Sequence, residues 1–202
     1  MPPDPPPTVA PPARRWARGS LIAPFVLIVL GYFAGDRAAR GGWLPKPTQA
    51  TADEYRAEIR RRVDAPPLSN LAAIYGRNFL ALAILCLGIG TAGIVTGVQM
   101  AYLGGAVGAQ VAHLLGAGVD GRLIFWFLFP HGVPEILAFC IGGSVGLHGT
   151  AMLIRHLPGG ALVEPGEVRM LLRRAAVAAA LLAVAGLVEV YITPAVGKRF
   201  LG

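Results

Sequence analysis

Five apolar runs, at residues 16–35, 78–98, 100–117, 123–154 and 172–192, are separated by segments that hold most of the charge. About 20 residues of helix cross a hydrocarbon core roughly 30 Å thick, so runs of this length read as membrane spans. The pattern predicts an all-α, polytopic helical membrane protein with about five transmembrane helices. The first run, SLIAPFVLIVLGYFA behind Arg14, Arg15 and Arg18, lacks a small-x-small cleavage site close behind it. It is therefore expected to stay as a first transmembrane helix over 14–35.

Between the runs the chain divides simply. Residues 1–13 hold seven prolines and no apolar period, predicting a disordered Pro-rich tail. Residues 36–77 are polar and contain ADEYRAEIRRRV, opened by a capping box from Thr51 to Glu54 and carrying a thin apolar face of Tyr55, Ile59 and Val63. This reads as an amphipathic helix at the headgroups or on a partner. A membrane domain over 78–195 follows, and 196–202 form a C-terminal tail.

The fourth run is too long for one ordinary crossing and is interrupted by Pro130 and Gly132. Its first part, LIFWFLF, would make only about 10 Å of helix. The expectation is a broken or re-entrant hairpin at 123–135, with a full span restarting near Pro134 and Gly132 or Val133 at the flanking cap. Proline suits a first helical turn, and Glu135 places negative charge at the positive end of the helix dipole.

Composition agrees with a lipid setting. Of 202 residues 54% are hydrophobic and 14% charged, against about 25% charged in soluble domains. The 27 glycines predict close helix packing, with small-residue ridges at Gly93/Gly97, Gly104/Gly108 and Gly142/Gly146. The net charge of +7 comes from basic residues at the edges of apolar runs, which reads as topology and headgroup anchoring, with no nucleic acid as partner. Lys and Arg are more numerous on the side of the 36–77 segment, but several belong to that segment itself, and the orientation stays open. Cys86 and Cys140 lie within apolar runs and read as free thiols.

Candidate chemistry is confined to a few polar residues at membrane depth. His131 and Glu135 flank the expected break, where non-helical backbone needs polar partners. They read either as staples of the hairpin or as a site for a ligand, lipid headgroup or proton. Glu189 lies inside the last run, where an unpaired carboxylate is costly, and is expected to face inward and pair with His131, His148 or Asn78.

The stretch PHGVPEILAFCIGGSVGL, Asn78 at the head of the second run, and GLVEVYITP with Glu189 and Pro194 resemble the stage II sporulation protein M family over about residues 70–195. The resemblance implies a polytopic membrane protein, typically of five spans, with no activity of its own. In spore formers the namesake is associated with septal peptidoglycan remodelling, where it is thought to anchor the cell-wall hydrolases stage II sporulation proteins D and P.

Enzymatic readings find little support. His131 and Glu135 do not make a His-Glu-x-x-His motif, and His113, His148 and His156 do not complete a zinc site by spacing. No metal or other cofactor is expected. Ser144 in GGSVG has no preceding strand to make it a nucleophile elbow. The expectation is a non-enzymatic scaffold or partner-binding subunit of the cytoplasmic (inner) membrane. Its partners are lipid, other membrane or envelope proteins and further copies of the chain, with His131, Gly132, Glu135, Asn78 and Glu189 forming the structural or ligand site. The competing expectation is a permease subunit with a substrate or proton site at His131, Glu135 and Glu189.

Overall fold

The structure, a computed structural model, describes residues 13–45, 49–64 and 67–196. Apart from Ala13 and Val196, the tails expected at 1–13 and 196–202 lie outside the described residues. Six α-helices account for nearly all of the described chain: α1 (Ala13–Arg40), α2 (Gln49–Asp64), α3 (Pro67–Leu87), α4 (Ile94–Gly116), α5 (Gly121–His156) and α6 (Glu167–Leu187). There is no strand among the described residues, and all of these helices except α2 are long and apolar enough to cross a membrane.

The helix directions follow from where glycines meet neighbouring backbone. A Cβ on Gly104 or Gly108 of α4 would collide with the carbonyl oxygens of Ile28 and Tyr32, and one on Gly31 or Gly35 of α1 with those of Ala101 and Gly105. Both sets of contacts rise together along the two helices, so α1 and α4 run parallel at backbone contact. In lipid such approach is favoured because dispersion and Cα–H···O contacts, not hydrophobic burial, hold helices together. Gly142, Gly146 and Gly149 of α5 meet Leu82, Leu85 and Ile89 in the same ascending order, so α3 and α5 are also parallel. Gly186 of α6 lies under the Tyr75 ring, whose hydroxyl donates to the Ala183 carbonyl at 2.8 Å.

The boundary between the second and third spans falls earlier than the hydrophobic pattern placed it. Gly88–Thr91 form one 3₁₀ turn, Ala92 and Gly93 take left-handed backbone with φ of 51° and 84°, and α4 begins at Ile94. The turn needs no solvent, because Thr91 Oγ1 donates to the Gly88 carbonyl and Thr96 Oγ1 to the Leu85 carbonyl, each at 2.9 Å. Gly93 is thus a turn glycine packed on Leu147 and Thr150, while a Cβ on Gly97 would meet nothing within 4 Å. The ridge expected from Gly93 and Gly97 does not form among the described residues.

The hairpin expected at 123–135 is also absent. Helix α5 is continuous for 36 residues through Pro130, Gly132 and Pro134, and Gly132 is an interior helical residue, not a cap. Each proline lacks the N–H that would bond four residues back, a defect of about 3 kcal/mol in a helix interior. Unwinding the chain at this depth would release further backbone groups with no water to receive them, so continuing the helix costs less. At about 1.5 Å per residue α5 is about 54 Å long, well beyond a roughly 30 Å core. It starts at an N-cap, Asp120, whose side chain accepts from the Arg122 N–H at 2.8 Å.

The surplus length of α5 carries α2. Ile59 of α2 is fully buried against Leu114, Val119, Leu123, Ile124 and Phe127, and Tyr55 meets Phe127 edge-on. The apolar half of LIFWFLF is therefore a seat for the polar helix, while Phe125, Trp126 and Phe129 stay exposed. A second apolar cluster, built on Leu82, Leu85, Met100, Ala138, Phe139 and Leu182, fills the middle of the bundle.

Candidate functional site

At the α2 end of the bundle the polar residues of three spans converge. Asn78 of α3 is buried, and its side-chain amide donates to the Glu135 carboxylate of α5. One turn earlier on α5, His131 is 8% exposed, and its Nδ1 lies 3.2 Å from Thr193 Oγ1. The Thr193 hydroxyl also reaches the Val188 carbonyl, at 3.3 Å.

The last span changes pitch at this point. Val188–Ile192 form a π turn, with the Thr193 N–H reaching back to the Val188 carbonyl. Turns of this kind insert one residue into a helix and recur at functional sites. Glu189 sits in the turn, and both Glu189 and Arg77 of α3 lie within electrostatic range of Glu135. A cleft of about 210 Å³ opens beside it, lined by Glu58 of α2, Asn70, Ala73, Ile74 and Arg77 of α3, Phe127, and Glu189, Val190 and Pro194.

Of the residues singled out from sequence, His131, Glu135, Asn78 and Glu189 are brought together, and Gly132 lies beside them with open space where a Cβ would be. His148, considered as a partner for Glu189, lies about 20 Å beyond Glu135 along α5, at the other end of the bundle. There its Nε2 lies 3.0 Å from Glu167 Oε1. Glu167 also receives both terminal nitrogens of Arg155 at 2.8 Å and the Glu164 N–H at 2.7 Å, while Arg155 reaches the Ala161 and Leu162 carbonyls. This network fastens the 157–166 connection. Nearby Arg174 donates to Ser144 Oγ at 3.3 Å, which gives Ser144 a packing and hydrogen-bonding role between α5 and α6.

Several participants were not picked out by the sequence pattern. Arg77 stands next to Asn78 at the mouth of the second run, and Thr193 next to Pro194 in the quoted closing stretch, so proximity to the motifs was their only signal. Gly31 and Gly35 carry a plain small-xxx-small spacing in GYFAG. Glu58 had no signal, because its place in the cleft depends on how α2 docks. Among the described residues no group of three or more His, Cys, Asp or Glu is placed to hold a metal.

The same stretches that form this site lie within a match to a known family. The family model of stage II sporulation protein M matches residues 20–194, from the first span to the proline that borders the cleft. Comparison with curated proteins and with solved structures returns no match. Five membrane-length helices and a family match over nearly the whole chain make this a multi-pass helical membrane protein belonging to the stage II sporulation protein M family.

Proposed function

We propose that the protein is a non-enzymatic scaffold of the cytoplasmic membrane that binds membrane or envelope partners, as the family's link to peptidoglycan remodelling in spore formers implies. The observation that carries this reading is the distribution of polar groups. The cluster around Glu135 and Glu189 and the network around Glu167 occupy opposite ends of the bundle. Between them lies the apolar cluster of Leu82, Leu85, Met100, Ala138, Phe139 and Leu182, and the buried hydroxyls beside it, Thr96 and Ser144, donate to the Leu85 and Ile141 carbonyls and so fasten backbone. A rigid body whose polar groups fasten helices suits an anchor better than a conduit. Helix α2, fixed through Ile59 and exposed at Asp53, Glu54, Arg60 and Arg61, supplies a charged surface for a partner at one end.

The permease reading keeps one observation in its favour: two acids, Glu135 and Glu189, meet beside a π turn at membrane depth. Two measurements separate the readings. Photo-crosslinkers placed at Arg60 and Asp53 in native membranes are expected to trap a discrete protein partner. Purified protein in liposomes is expected to pass protons and small cations no faster than empty liposomes. Solute flux that disappears in Glu189→Gln, without a crosslinked partner, would overturn the scaffold in favour of transport.

A further inference from the structure

In the spans, Thr96, Ser144 and Thr150 each donate to a backbone carbonyl, and Asn78 donates to Glu135. Gln99 and Gln110 of α4 differ, because neither has a hydrogen-bond partner among the described residues. Gln110 is exposed and Gln99 half-buried. We infer that these two amides are the hydrogen-bonding contacts of a homodimer in which α4 packs against α4 of a second copy.

The two glutamines lie eleven positions apart, close to three full turns, so they share one side of α4. Leu103 and Ala106 stand between them on that side, at intervals of four, three and four. Gly104 and Gly108 meet α1 from the far side of the helix, so the glutamine side points away from the contact that α4 makes most closely. Ala106 is exposed and small, which lets a second helix approach in the middle of the stripe.

Depth makes the unpaired amides costly. Helix α4 is a 23-residue span, about 35 Å long, with Gln99 about 8 Å from its start and Gln110 about 9 Å from its end. An amide at either level has lost its hydrogen bonds to water and gains none from lipid tails. The exposed side chains of α1, among them Ile22, Leu30 and Phe33, are apolar, and lipid covers them without such a loss. The glutamine side of α4 is therefore the outward face that lipid serves worst, and glutamine is among the side chains that bond across helices in membranes.

Hydrogen-bond complementarity selects the occupant. A closed pair of copies inserted in the same sense has its twofold axis along the bilayer normal, so each α4 residue meets its own counterpart at equal depth. Glutamine suits such a meeting, since its carbonyl oxygen accepts and its NH₂ donates to the amide opposite. There is no Asp, Glu, Lys or Arg from Ile94 to Gly116, so no like charges face each other across the axis. Any other partner would need a donor and an acceptor at both depths, about 16 Å apart, whereas a second copy brings them at matching positions. The pairing holds for a scaffold or a conduit.

The test uses the full chain in native membranes and in liposomes. Ala106→Cys keeps both glutamines, and its oxidation in native membranes is expected to yield a disulfide-linked species of twice the chain's mass. Wild type, with Cys86 half-buried and Cys140 buried, is the blank, and Val177→Cys, exposed on α6, is the collision control. No crosslink from Ala106→Cys, one equally strong from Val177→Cys, or one formed mainly with a different protein overturns the assignment. In liposomes, energy transfer between fluorescently labelled copies is measured as lipid dilutes them. Gln99→Leu combined with Gln110→Leu is expected to weaken association about tenfold. Unchanged association in that variant overturns the role of the amides. Wild-type transfer no greater than chance proximity at the same density overturns the pair itself, whether or not the variant folds. Partner capture and solute flux, which decide between scaffold and conduit, are read separately.

Discussion

His131 Nδ1 and Thr193 Oγ1, 62 positions apart in sequence, lie 3.2 Å from each other between α5 and the end of the last span. This contact ties the Pro-His-Gly stretch to the π turn that carries Glu189. Replacing Thr193 with Val, or His131 with Ala, is expected to lower stability in mixed micelles. A double-mutant cycle should give a coupling of about 0.5–1.5 kcal/mol, the usual size of such bonds in membranes. A cycle that sums to zero within error would show that the two side chains are neighbours without interaction.

Glu135→Ala removes the acceptor of the buried Asn78 amide and is expected to lower the melting temperature or assembly of the detergent-extracted protein. Glu135→Gln keeps a carbonyl oxygen for Asn78 and should be milder. Melting curves and size-exclusion profiles test the order. Wild-type behaviour of Glu135→Ala in both assays would refute a fastening role.

The α1–α4 contact yields a contrast between glycines on one helix. Gly108→Val places a branched side chain on the Tyr32 carbonyl and should separate the helices, costing about 2 kcal/mol or more as an overpacking substitution. Gly97→Ala meets nothing and should stay within about 0.5 kcal/mol of wild type. Unfolding in detergent measures both, and a large loss in Gly97→Ala would indicate a contact outside the single chain.

At the opposite end, Glu167→Ala would leave Arg155, His148 and the Glu164 N–H without their shared acceptor. The expected loss is about 2–3 kcal/mol, moderated because Arg155 is partly exposed to solvent. Faster hydrogen exchange over 157–166, with protection in α3 unchanged, is the diagnostic result. Uniform loss of protection would mean that Glu167 supports the whole bundle and not the connection alone.

How far the motifs could be read depended on whether a residue's partner lay on its own helix or another. Gly104 and Gly108 announced a packing face by spacing alone, since two positions four apart on a helix share a side whatever surrounds it. The 88–93 turn was hidden because LGIGTAGIV carries no charge and a single hydroxyl, and in lipid a turn satisfied by Thr91 and Thr96 needs no longer polar break. Pro130 and Gly132 misled in the other direction, because a rule learned in water treats them as breaks, while the membrane penalises the exposed backbone that a break would create. Of the five residues expected to form the site, His131, Glu135, Asn78 and Glu189 meet and Gly132 lies beside them, yet the cleft there needed Glu58, whose position depends on Ile59 docking against α4 and α5.

Hydropathy and length pointed to a helical membrane protein of about five spans, because a continuous apolar run of about 20 residues crosses lipid as a helix with its backbone bonds internal. The short motifs placed it near its family, since His, Glu and Asn at membrane depth are too costly to retain without partners. Only the tertiary structure decided which helices touch, that α5 runs unbroken, and that an arginine and two carboxylates share one cleft. Those outcomes rest on contacts between residues far apart in the chain, whose geometry no local pattern contains.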